Sequence, residues 1–204
     1  MQYDQLASKE IVEKTIASLK ERNINPIFAE TKEEAVLKIK ELIPAGATIM
    51  TGSSTTLNEI GFSDLLVSKN HPWKNLKDAI VEEKDPEKQN RLRRESVLSD
   101  YFLGSVHAVT QDGEVWTASA SGSQIPSYAF TSPNVIWVVG TQKIVPDSAS
   151  AADRIKNYVF PLEDKRMKSV GAPGSTIGRW LIFEREIMPN RKVNLIFVNQ
   201  KVGF

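Results

Sequence analysis

Val135-Ile136-Trp137-Val138-Val139-Gly140 is the stretch that most narrows what this chain can fold into. No polar side chain interrupts it, so it offers no alternation of a wet and a dry face. A short run rich in β-branched residues and closed by glycine fits a strand covered on both faces, as interior strands of parallel sheets are. The flanking segments agree. Leu6, Ile11, Val12, Ile16 and Leu19 recur at helical spacing, predicting a helix over 3–22, and Ile24 to Ala29 reads as a short strand. Thr31 and Glu34 form a capping-box pattern before a second helix through Ala35, Val36, Ile39 and Leu42. Thr48 to Thr51 is a further strand, and Leu57 and Ile60 follow at helical spacing up to a stop at Gly61.

The middle of the chain is polar over 69–90, punctuated by His71-Pro72-Trp73 and Asp85-Pro86. Asp85 caps a helix that begins at Pro86 and is expected to reach about Ser99. Tyr101–Leu103, Ala108–Thr110 and Val115–Ala118 are β-rich, with Asp112-Gly113 as a hairpin signal. Asp147 caps a helix through Ala151, Ile155 and Tyr158, and Leu181–Phe183 and Val193–Val198 read as closing strands. Helices alternating with short strands predict an α/β fold with a mainly parallel sheet flanked by helices and a β-hairpin-containing insertion. At 204 residues the expectation is a single domain over 1–204.

Bulk properties exclude several functions. A net charge of +1 lacks the basic excess of a nucleic-acid binder. The one basic cluster, Lys88, Arg91, Arg93 and Arg94, is interleaved with Glu82, Glu83, Asp85, Glu87 and Glu95 and reads as a solvated helix face. The absence of cysteine removes disulfides, thiolate nucleophiles, cysteine-ligated zinc and cysteine-held iron–sulfur clusters, so no cofactor is expected. No signal peptide opens the sequence and no run nears the ~18 apolar residues of a membrane span, which predicts a cytoplasmic protein without membrane attachment.

Two loops carry candidate chemistry. Gly52-Ser53-Ser54-Thr55-Thr56 lies between a predicted strand and a predicted helix, where free N–H groups and hydroxyls favour an anion; its bland alternative is a turn capped by Ser54. It lacks the lysine of a phosphate-binding Walker loop, and no Gly-x-Gly-x-x-Gly occurs. Ser119-Ala120-Ser121-Gly122-Ser123-Gln124 is a second small polar segment after a strand, and Gly171-Ala172-Pro173-Gly174-Ser175 a third that reads as a hinge or turn. His71 and His107 are too isolated for a metal site, and His107 reads as structural. Glu59, Asp100 and Lys143 are the isolated charges. Ligands of open α/β sheets bind at the carboxyl ends of strands, so Gly52 to Thr56 and Ser121, Gly122, Ser123 and Gln124 are expected to line one pocket for a small anionic metabolite. Lys143, which follows the strand ending at Gly140, is expected to reach the rim of that pocket and supply the positive charge that the loops lack, and Asp100 is the weaker member of the ligand-binding set. No catalytic residue is assigned.

Four stretches together resemble the lactate-utilization (LUD) domain family. They are Thr51-Gly52-Ser53-Ser54-Thr55-Thr56-Leu57-Asn58-Glu59-Ile60-Gly61; Ser99 to Gly113 with its Asp-x-Phe strand and Asp-Gly hairpin; Val139-Gly140-Thr141-Gln142-Lys143-Ile144-Val145; and Phe160 to Arg166 together with Val198 to Phe204. The resemblance implies a Rossmann-like sheet related to ribose-5-phosphate isomerases and CoA transferases. It also implies a role in L-lactate (2-hydroxy acid) utilization, accessory or catalytic, with iron–sulfur protein partners. The alternative it leaves is a small-molecule enzyme or binder of the phosphosugar-isomerase or CoA-transferase type; a non-catalytic interaction domain is a third reading. Two departures stand out. Gly122-Ser123-Gln124 replaces the Gly-Asn-Arg of many relatives, removing a fixed cation, and the cysteine cluster of some relatives is missing near Gly171 to Arg179. Oligomeric state stays open, a homo-oligomer included. The purified chain is expected to be colourless; a visible absorption band with stoichiometric iron and sulfide would overturn that.

Overall fold

The computed structural model describes residues 3–204. Helix α1 (Lys9–Glu21) begins later than the apolar spacing predicts, because Ser8 Oγ accepts from the Ile11 N–H and sets the start there. Strand β1 (Asn25–Ala29) leads to helix α2 (Lys32–Leu42), where Thr31 Oγ1 accepts from the Glu34 N–H and the Glu34 carboxylate from the Glu30 N–H. Strand β2 (Thr48–Thr51) runs into the short helix α3 (Thr55–Glu59), capped by Ser54, and Gly61 at φ 80° turns the chain into α4 (Phe62–Val67). The polar stretch forms edge strand β3 (Lys74–Asn75) and helix α5 (Leu76–Glu82), neither marked by periodicity, since α5 buries only Ile80. Helix α6 (Pro86–Glu95), capped by Asp85, buries no residue, as a solvated face requires, and gives way to a tighter 3-10 turn over Ser96–Leu98. Then come β4 (Tyr101–Gly104), the hairpin strands β5 (Ala108–Thr110) and β6 (Val115–Ser119), β7 (Asn134–Gly140) and β8 (Ile144–Val145). Asp147 caps α7 (Ser148–Arg154), which continues through a π-helical stretch into α8 (Phe160–Ser169), close to where Pro161 has no N–H to offer the preceding turn. Strands β9 (Arg179–Phe183) and β10 (Lys192–Val198) close the fold.

The strands form two sheets. The larger has the order β1-β10-β7-β4-β2-β3 with every pair parallel, and the smaller has the order β8-β5-β6-β9. In the smaller sheet β6 is antiparallel to both β5 and β9, while β5 and β8 are parallel. This is a mixed α/β protein with a Rossmann-like parallel sheet. Strand β7 lies between β10 and β4, and its side chains divide between two cores. Ile136 and Val138 face one core with Ala35, Ile39, Leu57, Phe62 and Trp73, from the side of α2, α3 and α4. Val135, Trp137 and Val139 face the other with Leu19 of α1 and Val109, Val115 and Phe183 of the small sheet. The hairpin segment is therefore a covering layer of the parallel sheet, which explains why β7 carries no polar face. Among the described residues no helix is long and apolar enough to cross a membrane.

Trp137 is fully buried against Tyr128 and Phe183, with ring centroids 5.5 and 5.3 Å away. Its indole N–H has no partner among the described residues. Trp137→Ala is expected to cost about 3–5 kcal/mol in urea denaturation. Trp137→Phe should cost clearly less, because it keeps a ring and removes an unpaired buried donor. Equal losses for both variants would refute this account of the core.

Candidate functional site

Strands β2, β4 and β7 are parallel, so their carboxyl ends and the segments that leave them, from Gly52, Ser105 and Thr141, lie on one side of the sheet. With the loop after β6, the α7–α8 helix and Ser175 to Ile177 they line an open cavity of about 460 Å³. Gly52, Ser53, Ser54, Thr55, Thr56, Ser121, Ser123, Gln124 and Lys143 all line it, so the two predicted loops share one cavity. Their contact is close: a Cβ on Gly52 would sit 4.0 Å from Gln124 Cβ. Ser54 Oγ is spent on the Leu57 N–H, and the Gln124 side-chain carbonyl accepts from Ser119 Oγ at 2.9 Å. Gly122 is not in the lining. It turns the loop at φ 79°, its N–H donates to Ser119 Oγ, and a Cβ there would meet Arg179 at 2.5 Å.

Asp100 is a correction. Its carboxylate accepts from the Thr48 N–H at 2.8 Å and Oγ1 at 2.7 Å, tying the amino ends of β2 and β4. These bonds hold its carboxyl below the usual range. A residue that precedes a parallel strand falls at the edge opposite the cavity, so Asp100 belongs to the sheet and not to the site.

Lys143 lines the same cavity as the two loops, but from within its wall, where it is 1% exposed. Nζ lies 3.0 Å from Thr56 Oγ1, 3.1 Å from Ser105 Oγ and 3.3 Å from the Val106 carbonyl. Burial and the nearby Arg154 charge push this amine down to about 7, against a smaller upward pull from Glu59. The Glu59 carboxylate is itself engaged by the Gly203 N–H at 2.7 Å.

Arg154, fully buried, donates to the carbonyls of His107 and Tyr3, and its guanidinium lies 5.2 Å from the Tyr158 ring centre. Burial lowers it to about 10. Neither Lys143 nor Arg154 has a carboxylate within ion-pair distance among the described residues. His107 lines the cavity and accepts the Ala118 N–H on Nδ1, which leaves the proton on Nε2. Burial first, then the Lys143 and Arg154 charges, hold it down to about 3, so it stays neutral.

Sequence reasoning missed Ser105, Lys77 and Arg154, and took His107 as structural. Ser105 carried the same signal as Gly52-Ser53, a small residue leaving a strand end, but in a single Gly104-Ser105 pair. Gly104 is required there, since a Cβ would fall 1.8 Å from Tyr128 Oη. Lys77 of α5 is half-buried in the cavity lining, and desolvation lowers it.

Fold and cavity together define an α/β protein with a polar, cation-bearing pocket at the carboxyl edge of a Rossmann-like sheet. The LUD domain model matches residues 12–191, and the chain belongs to that family. The fold is also that of a DUF162 family protein from Deinococcus radiodurans, in a crystal structure at 1.70 Å, with a TM-score of 0.56 at 12% identity over 96% of this chain and 100% of that one. eIF2B beta from Chaetomium thermophilum aligns at a TM-score of 0.30 and 14% identity over 69% of this chain and 44% of that one, too low to carry any argument. A search of curated proteins finds no match.

The lysine makes stability depend on pH. Below about pH 7 both the native and the unfolded chain hold the Lys143 proton, and the native state bears the full cost of the buried charge. Between about 7 and 10.5 the native amine is neutral while the unfolded one is still charged, so stability rises with pH across that window. The slope contributed by this one group is at most about 1.4 kcal/mol per pH unit. His107 acts in the same sense, but between about 3 and 6.5. Urea denaturation of Lys143→Met should lack the alkaline rise expected of the natural chain; parallel curves would sink the assignment.

Proposed function

We propose that this LUD domain acts in the utilization of a 2-hydroxy acid such as L-lactate, holding the carboxylate of the acid or of its 2-oxo product in the cavity. The observation that carries this reading is a surplus of basic side chains at the cavity. Lys77, Lys143 and Arg166 line it against a single side-chain carboxylate, Glu163, which Arg166 engages, and Arg154 is buried outside the lining without a carboxylate counter-ion. Burial disfavours the ammonium form of Lys143, and a bound anion offsets that cost. A cavity of about 460 Å³ admits a small metabolite. Hydroxyls of Ser53, Thr55 and Ser105 and the Nε2 N–H of His107 provide neutral donors for a substrate hydroxyl or carbonyl. Electrons taken from the substrate leave through a redox partner, an iron–sulfur protein, since this chain has no cysteine with which to hold such a cluster. Cytoplasmic location belongs to the same proposal.

The rival occupant is a phosphosugar or an acyl-CoA. Thermal-shift and calorimetric titrations with L-lactate, pyruvate, ribose 5-phosphate and coenzyme A separate the two. Saturable stabilisation by L-lactate or pyruvate is the expected outcome, with Lys77→Ala weakening binding by about 1.5–3 kcal/mol, the scale of a hydrogen bond to a charged group. Saturable binding of only the phosphorylated ligands would reject the carboxylate reading in favour of the isomerase or transferase type.

A further inference from the structure

Ser105, Thr56 and Lys143 form a closed hydrogen-bonded ring that a carboxylate site does not require. Thr56 Oγ1 lies 3.1 Å from Ser105 Oγ, and Lys143 Nζ lies within hydrogen-bond distance of both. All three line the cavity, but they are not equally open: Thr56 and Lys143 are only 2% and 1% exposed, while Ser105 is half-buried.

We infer that Ser105 is a nucleophile with Lys143 as its general base, and that the cavity can accept the acyl group of a small ester or thioester. The ring is satisfied with a neutral amine. As the structure stands, Lys143 donates to Ser105 Oγ and Ser105 donates to the Val106 carbonyl at 3.3 Å. With the amine neutral, rotation of the Ser105 hydroxyl, 3.1 Å from Nζ, turns its proton from that carbonyl to Nζ, while Lys143 still donates to Thr56 Oγ1 and the Val106 carbonyl and Thr56 to Ser105. It is equally satisfied after the proton has moved, because the ammonium has acceptors at Thr56, Ser105 and Val106. A proton can therefore pass from Oγ to Nζ without rearranging the wall, which is what activation of a serine by a neighbouring base demands.

The step balances within the site. Nζ takes the Oγ proton as Oγ adds to the carbonyl carbon of the acyl donor. The tetrahedral adduct collapses, the bond to the alkoxide or thiolate breaks, and Lys143 returns the proton to that leaving group. Water then repeats the sequence on the acyl-serine, releasing the carboxylate and restoring Ser105. The charged groups facing Lys143 are Arg154, which favours the neutral amine, and Glu59, which opposes it. His107 presents a neutral N–H donor in the same lining, suited to a developing oxyanion.

The inference goes beyond the carboxylate reading and does not depend on it. The test uses p-nitrophenyl acetate and a fluorophosphonate probe on the full chain. A stoichiometric burst of nitrophenolate is expected, with an acetyl group on the peptide holding Ser105 that hydroxylamine releases as an ester. Ser105→Ala, with an unchanged melting temperature, should lose both the burst and fluorophosphonate labelling. Lys143→Met should slow the burst by about 100-fold or more. Because that variant perturbs a buried group, the base is also tested in the natural chain: the burst rate should climb with pH to a plateau, with its midpoint near 7. The dyad is refuted by an unmodified natural chain, by labelling that survives Ser105→Ala, by a hydroxylamine-stable amide on Lys143, or by a rate independent of pH. L-lactate binding, measured separately by calorimetry, stands or falls without reference to any of these results.

Discussion

A strand with no polar face must be covered twice, and much of this architecture follows from that requirement at β7. Its even-numbered side chains, Ile136 and Val138, need a helical layer, and its odd-numbered ones, Val135, Trp137 and Val139, need a second layer. The chain meets the first need with α2, α3 and α4. It meets the second with α1 and a four-stranded sheet whose hairpin is continuous with β4. Strand β10, paired with β7 over seven residues, has the same demand and shares both covers. Burial of this kind is the main favourable term in folding, so the two layers are stability elements before they are anything else.

The cavity arises where those covers part company at the carboxyl edge. Main-chain N–H groups and carbonyls emerging from parallel strands there lack ladder partners and need polar company. Small residues admit it: Gly52, Gly104 and Gly140 sit at the ends of β2, β4 and β7, and a Cβ at Gly104 or Gly140 would strike Tyr128 or Gln142. Lys143 then reaches back under the edge and satisfies Thr56, Ser105 and the Val106 carbonyl at once. The same carboxyl-edge position gives the site its location and its charge.

Local features of this protein were legible in the sequence, and distant ones were not. Caps at Asp85, Asp147 and Thr31 declared helix starts because each acts on N–H groups within three residues. The β7 run declared double burial because an apolar stretch has no other stable place. By contrast, Lys143 is buried by partners 87 and 38 residues away, and nothing adjacent to it signals that. Helix α5 was silent because one buried residue makes no period, so Lys77 went unnoticed with it. Two small-residue loops were legible as site candidates because each concentrates several such residues. Ser105 was not, because its strand end needs only one glycine and one serine. Asp100 was misplaced for a geometric reason: before a parallel strand and after it are opposite edges of the sheet.

Arginine and lysine do different work at this edge. Arg154 cannot lose its proton in any ordinary range, so it is a permanent field, anchored by two carbonyls and flanked by tyrosine rings. Burial first, with that field adding to it, holds the two titratable neighbours down, Lys143 to about 7 and His107 to about 3. An anion entering the cavity opposes the field and draws Lys143 toward its ammonium form, so anion binding and proton uptake are coupled through one amine. The proposed carboxylate site and the inferred serine–lysine dyad would then be two protonation states of one amine, a counter-charge beside an anion and a base beside a neutral acyl donor. A methionine at 143 would pack with less cost in a buried wall, and neither state would exist.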